Sequence, residues 1–255
     1  MIDKKELIAH FTGEELNLAQ SVLEKANISM QYETTIFTQD FLTPNIWNFF
    51  YKRLSNVMKI ECNGVFEESE RRMISFNNGY NTPYPITVLK IINNSKFKVL
   101  EHKDYLGAIL SLGIKRNKIG DLVIKDNKCY FVACEEIGKF IIENLISVGK
   151  NPCTVELVAG IEELPHMDFT ESIISVASLR ADAVVSEIAN CSRANAVKLV
   201  DSGKVLIDYS DDINKSSEVK LDSRITIRGT GKYLISEIVG KTKSDKLRIK
   251  IKKYT

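Results

Sequence analysis

Residues 86–158 constrain the fold most, because the apolar pattern there changes period in a fixed order. ITVLKII (86–92) is β-branched and reads as a strand. HKDYLGAILSLG (102–113) reads as a helix that ends at Gly113. GDLVI (120–124) and KCYFVAC (128–134) are strands joined by Lys125-Asp126-Asn127, a hairpin-length turn. EEIGKFIIENLISVG (135–149) is a helix with Gly149 at its end, and CTVELV (153–158) is the last strand of the series. Strands interleaved with helices in this way exclude an all-α or all-β fold for this stretch.

The order β-α-β-β-α-β is that of the ferredoxin-like split βαβ unit, which many RNA-recognition domains use. Such domains stack bases on aromatics of the third strand. Here Tyr130 and Phe131 are adjacent, so they point to opposite faces, and the basic-glycine-aromatic signature is absent. Stacking of that kind is therefore not expected on this sheet. A turn-rich boundary (Asn77, Asn78, Gly79, Asn81, Pro83) separates it from residues 1–80, which read mostly helical. Asp3 with Glu6 and Thr12 with Glu15 match the capping box, and Thr43-Pro44 opens a third helix with proline at its first position. On that helix Ile46, Trp47, Phe49, Phe50 and Leu54 are read as core. A short apolar stretch, Val57 to Phe66, is broken at Asn63-Gly64, and EESERR (67–72) reads as a solvated helix face.

Charge separates the two ends of the chain. The total, 35 Lys+Arg against 33 Asp+Glu, is nearly balanced. Residues 1–178 hold 19 basic and 23 acidic residues, whereas residues 179–255 hold 16 and 10. An acidic body with a basic C-terminal module suggests that the module faces a polyanion. The five cysteines (Cys62, Cys129, Cys134, Cys153, Cys191) lack paired spacing and read as buried free thiols. No apolar run reaches the ~20 residues of a membrane span, and the N-terminus lacks a signal-peptide pattern, so a cytoplasmic protein is expected.

The basic module has its own pattern. A helix starts near Arg180, with Ala181, Val184, Val185 and Ile188 on one face. Ser192 is suited to cap a second helix, on which Asn195, Lys198 and Ser202 share the polar side, and Gly203 fits its C-terminal end. KVLIDY (204–209) is a strand, Ser210 to Ser217 a polar loop, and Gly229-Thr230-Gly231 a turn. In LRIKIK (247–252), Leu247, Ile249 and Ile251 face inward, while Arg248, Lys250 and Lys252 line the outer face. Free amides at the start of the Ser192 helix, with the Arg193 fork beside them, suit phosphate. Arg180 opens the preceding helix and is expected nearby. The candidate RNA-binding residues are Arg180, Ser192, Arg193, Asn195, Lys198, Lys204, Arg228, Lys232, Arg248 and Lys250.

Leu179-Arg180-Ala181-Asp182, CSRANAVKLVDSGKVLID (191–208) and LDSRITIRGTGKY (221–233) together resemble an S4 RNA-binding domain. One departure is Ile207-Asp208-Tyr209, where the family commonly has Val-Asn-Gly; an acidic Asp208 there is expected to weaken a local phosphate contact. NGVFEESERR (63–72), HKDYLGAILSLGIKRNKIGDLVI (102–124) and GKTKSDKLRIKIKKY (240–254) extend the likeness to nearly the whole chain, which resembles the YlmH family of bacterial S4-domain proteins. That resemblance implies an α+β fold of three small domains: an α-rich N-terminal domain (1–80), a ferredoxin-like or RRM-like βαββαβ middle domain (81–165) and a C-terminal S4 domain (179–255). It also implies association with large-subunit 23S rRNA and peptidyl-tRNA, in rescue of stalled nascent chains, and a genetic neighbourhood of cell-division genes.

S4 domains often accompany catalytic domains, so enzymatic motifs matter. Gly120-Asp121-Leu122 lacks the arginine of the pseudouridine-synthase motif, no glycine-rich cofactor loop follows a strand, and no P-loop is present. The length and pattern offer no nucleotide-binding sheet of the tyrosyl-tRNA synthetase kind. His102 and Asp104 are two apart and do not share a helix face; by resemblance, His102, Lys103 and Asp104 match a characteristic helix start. His10 and His166 are isolated, and Glu70 with Arg71 are candidates for an interdomain contact. The expectation is a monomeric, non-enzymatic RNA-binding protein with no catalytic residue, metal or cofactor, binding neither membrane nor DNA. Two other readings are an RNA-modifying enzyme that uses the S4 module for substrate delivery, and a cell-division-linked scaffold with RNA affinity.

Overall fold

The structure is a computed structural model that describes residues 2–66, 69–95, 99–160, 164–165, 169–210 and 212–254. Glu67 and Glu68 of the EESERR run, His166, and Asp211 of the polar loop lie outside the described residues. The protein is of α+β class and divides into two compact units, Met1–His166 and Met167–Thr255.

The first unit holds two hydrophobic cores. One is built by α1 (Lys4–His10), α2 (Gly13–Tyr32) and α3 (Pro44–Leu54) with a small antiparallel sheet of β1 (Ile36–Phe37), β2 (Ile60–Asn63) and β3 (Met73–Phe76), in the order β1-β3-β2. Leu7, Ile46, Phe50, Ile74 and Phe76 are fully buried there. Asp3 Oδ1 accepts the Glu6 amide at 2.7 Å, as the capping pattern predicts. Thr12 does not cap α2. Glu15 instead accepts from Thr43 Oγ1 at 3.1 Å and Asn45 Nδ2 at 3.0 Å, which ties the start of α2 to the start of α3. The solvated-helix reading of 67–72 is corrected for its described part. Ser69 and Glu70 are buried, and Arg72 pairs with Leu42 ahead of β3. Gly64 explains the tight course: a Cβ there would lie 2.6 Å from the Arg71 carbonyl oxygen.

The second core carries the alternating pattern. β4 (Ile86–Asn93), α4 (His102–Leu110), β5 (Ile119–Lys125), β6 (Lys128–Cys134), α5 (Glu135–Asn144), β7 (Ser147–Val148) and β8 (Asn151–Leu157) form a sheet of order β5-β6-β4-β8-β7, antiparallel throughout. Omitting β7, this is the ferredoxin-like strand order. The helix expected to run to 149 ends at Asn144, because residues 147–148 turn back through Gly149 (φ 60°) to pair with β8. Leu89, Ile91, Phe131 and Val155 pack with Tyr105, Ile109 and Ile141 of the helices. Phe131 is thus wholly buried, while Tyr130 lies on the other face, opposite Lys90.

A polar joint connects the two cores of this unit. Asp121 Oδ2 accepts the amides of Glu70 (2.6 Å) and Arg71 (2.9 Å), so these two residues make the contact through their backbone. Arg71 Nη1 donates to the Phe41 carbonyl at 3.1 Å, and Phe41 N donates to the Asn117 carbonyl at 2.6 Å. Burial, with Glu70 nearby, outweighs the two amides and raises the Asp121 carboxyl above its ordinary value.

The second unit is a five-stranded antiparallel sheet with two helices on one face. β9 (Phe169–Val176), α6 (Ala181–Ile188), α7 (Arg193–Asp201), β10 (Val205–Ile207), β11 (Arg224–Ile227), β12 (Gly231–Lys241) and β13 (Leu247–Tyr254) follow in sequence, and the sheet order is β10-β11-β12-β13-β9. Val184, Val185, Ala196 and Val200 meet Ile225, Ile227, Ile249 and Ile251 in the core. β9 precedes residue 179, so the sheet draws in a strand that the sequence reading left out. The strand KVLIDY is also shorter than expected, because Asp208 and Tyr209 have positive φ and form a turn.

Candidate nucleic-acid interface

The two helix starts of the C-terminal unit converge on one carboxylate. Arg180, at the N-cap of α6, donates from Nε (3.1 Å) and Nη2 (3.3 Å) to Asp182. Arg193, the first residue of α7, donates from Nε (3.1 Å) and Nη2 (3.3 Å) to the same group. Each carboxylate oxygen therefore accepts one N–H from each guanidinium. The Asp182 side chain is 7% exposed, whereas those of Arg180 and Arg193 are 41% and 53% exposed. Burial alone would raise the Asp182 carboxyl, but the two arginines outweigh it and hold it below its ordinary value. The result is two oriented forks with a shared anchor behind them, and Nη1 of each remains for an incoming phosphate oxygen.

Only one of the two helix N-termini is open. In α6 the amides of Ala181 and Asp182 donate to the carbonyls of Ser217 (2.8 Å) and Lys215 (3.2 Å), so the polar loop closes that end. In α7, Ser192 Oγ accepts the Asn195 amide at 3.3 Å, and Ser192, Arg193, Ala194 and Asn195 are all exposed. Lys198 is exposed one turn further on. The helix ends in a Schellman arrangement: Lys204 N donates to the Leu199 carbonyl, and Gly203 N (φ 65°) to that of Val200, both at 3.0 Å. This presents Lys204 beside Arg228, whose amide donates to the Lys204 carbonyl at 2.9 Å. Five candidates (Arg180, Ser192, Arg193, Asn195, Lys198) thus share the α6–α7 edge, and Lys204 with Arg228 form a second pair.

The other three candidates lie on the sheet. Lys232 Nζ stands 4.9 Å from the Tyr209 ring and 5.7 Å from that of Tyr254. Arg248 is exposed on β13. Lys250 is held by Glu237 (2.9 Å) and Glu171 (3.7 Å), and Glu237 first, with Glu171, raises its pKa. The outer face of β13 alternates as expected, but its lysines are partly balanced by carboxylates from both neighbouring strands. Asp208 is also engaged: it accepts from Ser223 Oγ (2.9 Å) and the Arg224 amide (2.8 Å). Sequence reasoning missed Asp182, although the spacing Arg-x-Asp and the later Ser-Arg carry the signal.

These features define an α+β protein whose C-terminal unit carries oriented cationic side chains at its helix starts. Residues 80–160 match the family model described as "Putative RNA-binding domain in YlmH". A relative from Bacillus subtilis (strain 168), "Ribosome-associated protein quality control protein P2", is 26% identical over 251 residues, covering 96% of this chain and 97% of that one. The match over residues 80–160 agrees with the resemblance to the YlmH family read from the sequence. A solved structure, "Cell division protein ylmH from Streptococcus pneumoniae", aligns over 61% of this chain and 98% of that one, at 20% identity and a TM-score of 0.49. The matching family model describes an RNA-binding domain. Among the described residues no helix is long and apolar enough to cross a membrane, and no cluster of His, Cys, Asp and Glu could hold a metal ion.

Proposed function

We propose that this chain is a non-enzymatic, cytoplasmic RNA-binding protein that docks on 23S rRNA of the large ribosomal subunit beside peptidyl-tRNA. Its role is in ribosome-associated quality control of stalled nascent chains. The observation that carries the reading is the pair Arg180–Arg193, oriented by buried Asp182 beside the open start of α7. Oriented guanidiniums and free amides favour structured RNA, gripped through phosphates and 2′-hydroxyls. The RNA-binding family model and the printed name of the Bacillus relative support the ribosomal assignment. The three-part division into residues 1–80, 81–165 and 179–255 belongs to this proposal, with β9 added to the last part.

Charge reversal of both Arg180 and Arg193 to Glu tests it. The variant leaves Asp182 without its four donors and should unfold at a lower temperature, so binding is read where circular dichroism shows it folded; there it should lose co-sedimentation with the large subunit. Unchanged co-sedimentation would remove the basis of the reading. If the grip uses roughly five phosphates, the log–log salt slope of wild-type binding should be about −4 to −5.

A further inference from the structure

The turn after β10 holds an aromatic residue where the backbone favours glycine. Asp208 (φ 49°) and Tyr209 (φ 70°) are both left-handed, and Ile207 and Ser210 exchange amide–carbonyl bonds of 3.0 Å around them. Two-residue turns of this kind favour Asn-Gly, and a tyrosine at the second position is strained. The Tyr209 ring is not idle. Lys232 Nζ lies 4.9 Å from its centroid and donates to its hydroxyl at 3.4 Å.

Lys232 begins a row that crosses the sheet. Its Nζ is 5.7 Å from the Tyr254 ring, which meets the Phe169 ring edge-on at 5.0 Å, and Lys252 Nζ is 5.6 Å from the Phe169 ring. Tyr254 pairs directly with Phe169, and Lys252 with both Leu234 and Glu171. These positions alternate with the inward-facing Ile249 and Ile251, so the row lies on the sheet face opposite α6 and α7. Lys232, Arg248, Lys250 and Lys252 on that face stand against Glu171 and Glu237.

We infer that this row (Tyr209, Lys232, Tyr254, Phe169 and Lys252) is a second RNA-contact surface, one that takes unpaired bases. The inference rests on the RNA-binding reading above and adds what this face would bind. Rings interleaved with cations suit a single strand, because bases stack on the rings while the amines turn to the phosphates. Lys232 and Lys252 are partly exposed, which keeps the lysine–ring contact weak enough for a stacking base to displace it. A protein partner would call for a broad apolar patch with few charges at its centre, whereas Lys250 and Lys252 stand among the apolar side chains of this face. The Arg180–Arg193 edge meets phosphates of folded RNA, whereas this face needs bases already out of the stack.

Fluorescence anisotropy with the full chain and two RNAs tests this. One RNA is a fully paired hairpin; the other is the same hairpin with a short unpaired adenosine tail. Wild type should bind the tailed RNA about tenfold more tightly. Tyr209→Gly removes the ring and relieves the turn, so the tail advantage should fall to about threefold or less while the melting temperature holds or rises. Tyr254→Leu should reduce the tail advantage in the same way and leave hairpin binding unchanged. The inference is overturned if wild type gains nothing from the tail, if Tyr209→Gly keeps the whole advantage, or if that variant loses hairpin binding equally. Those outcomes leave the first reading standing. Failure of wild type to bind either RNA would end both.

Discussion

Asp182→Asn separates geometry from bulk charge at the helix-start arginine pair. It exchanges a charged acceptor for a neutral one of the same shape at a side chain 7% exposed. Four N–H···O bonds of 3.1–3.3 Å converge there. A hydrogen bond to a charged group contributes ~1.5–3 kcal/mol, but both arginines are about half exposed and water screens them. Asn also keeps one acceptor oxygen, so a loss of ~2 kcal/mol from the C-terminal unit is expected. The RNA affinity is the more telling quantity. Re-ordering two freed arginines costs ~0.5–1.5 kcal/mol each, or roughly 1–3 kcal/mol together. The extra positive charge favours RNA by at most ~1 kcal/mol at an exposed site. Net binding to a paired hairpin should weaken about tenfold, 1.4 kcal/mol being a factor of ten. Anisotropy titration at fixed salt reads this directly. Equal or tighter binding by Asp182→Asn would refute the view that the carboxylate orients the arginines. In the wild type the folded Asp182 binds its proton less tightly than the unfolded chain. Its contribution is therefore full above the unfolded value near ~4 and is lost as pH falls through the lower folded value.

Other perturbations address the rest of the molecule. Gly120→Ala places a Cβ 2.2 Å from Val132 Cγ2 and 3.2 Å from the Phe41 ring, so urea unfolding should show a loss of ~1–3 kcal/mol. Asp121→Ala leaves the Glu70 and Arg71 amides without their acceptor and should cost ~2–4 kcal/mol by the same measurement. The folded Asp121 binds its proton more tightly than the unfolded chain, so wild-type stability should fall as pH rises from the unfolded value through the raised folded one. Replacing Asp121 removes that slope. Lys204→Gln, at the pair with Arg228, should make the salt dependence of RNA binding shallower by about one unit without changing stability; an unchanged slope would take Lys204 off the interface.

Local signals in the sequence translated well into structure. Strand β4 is legible from its β-branched content, β5 and β6 from the hairpin-length turn between them, the cap at Asp3 from its spacing to Glu6, and the cap at Ser192 from its residue type. What escaped depends on distant partners. The Thr12–Glu15 box fails because Glu15 is taken by Thr43 and Asn45, about thirty residues on. EESERR looked solvated by composition, yet the amides of Glu70 and Arg71 are claimed by Asp121, some fifty residues later. β9 mixes polar and apolar residues on both faces, so no period marks it; pairing with β13 makes it a strand. Asp182 enters the sequence reading only as part of the Arg-x-Asp motif; its role appears once Arg193, eleven residues on, is folded against it. The sequence places an acidic Asp208 where it would weaken a local phosphate contact; Ser223 and Arg224 engage its oxygens within the fold.

The strand order of the C-terminal sheet sets a schedule for synthesis. β9 has one neighbour, β13, and seventy residues of chain separate Val176 from Leu247. At 5–20 residues per second, β9 waits roughly 4–14 s after translation before its partner exists. During that interval Ile173 and Ile174 belong to an open edge, and β12 lacks its second neighbour as well. A nascent chain halted between the completion of β12 and that of β13 would carry two unmatched edges, an invitation to aggregate or to be degraded that only the arrival of β13 withdraws.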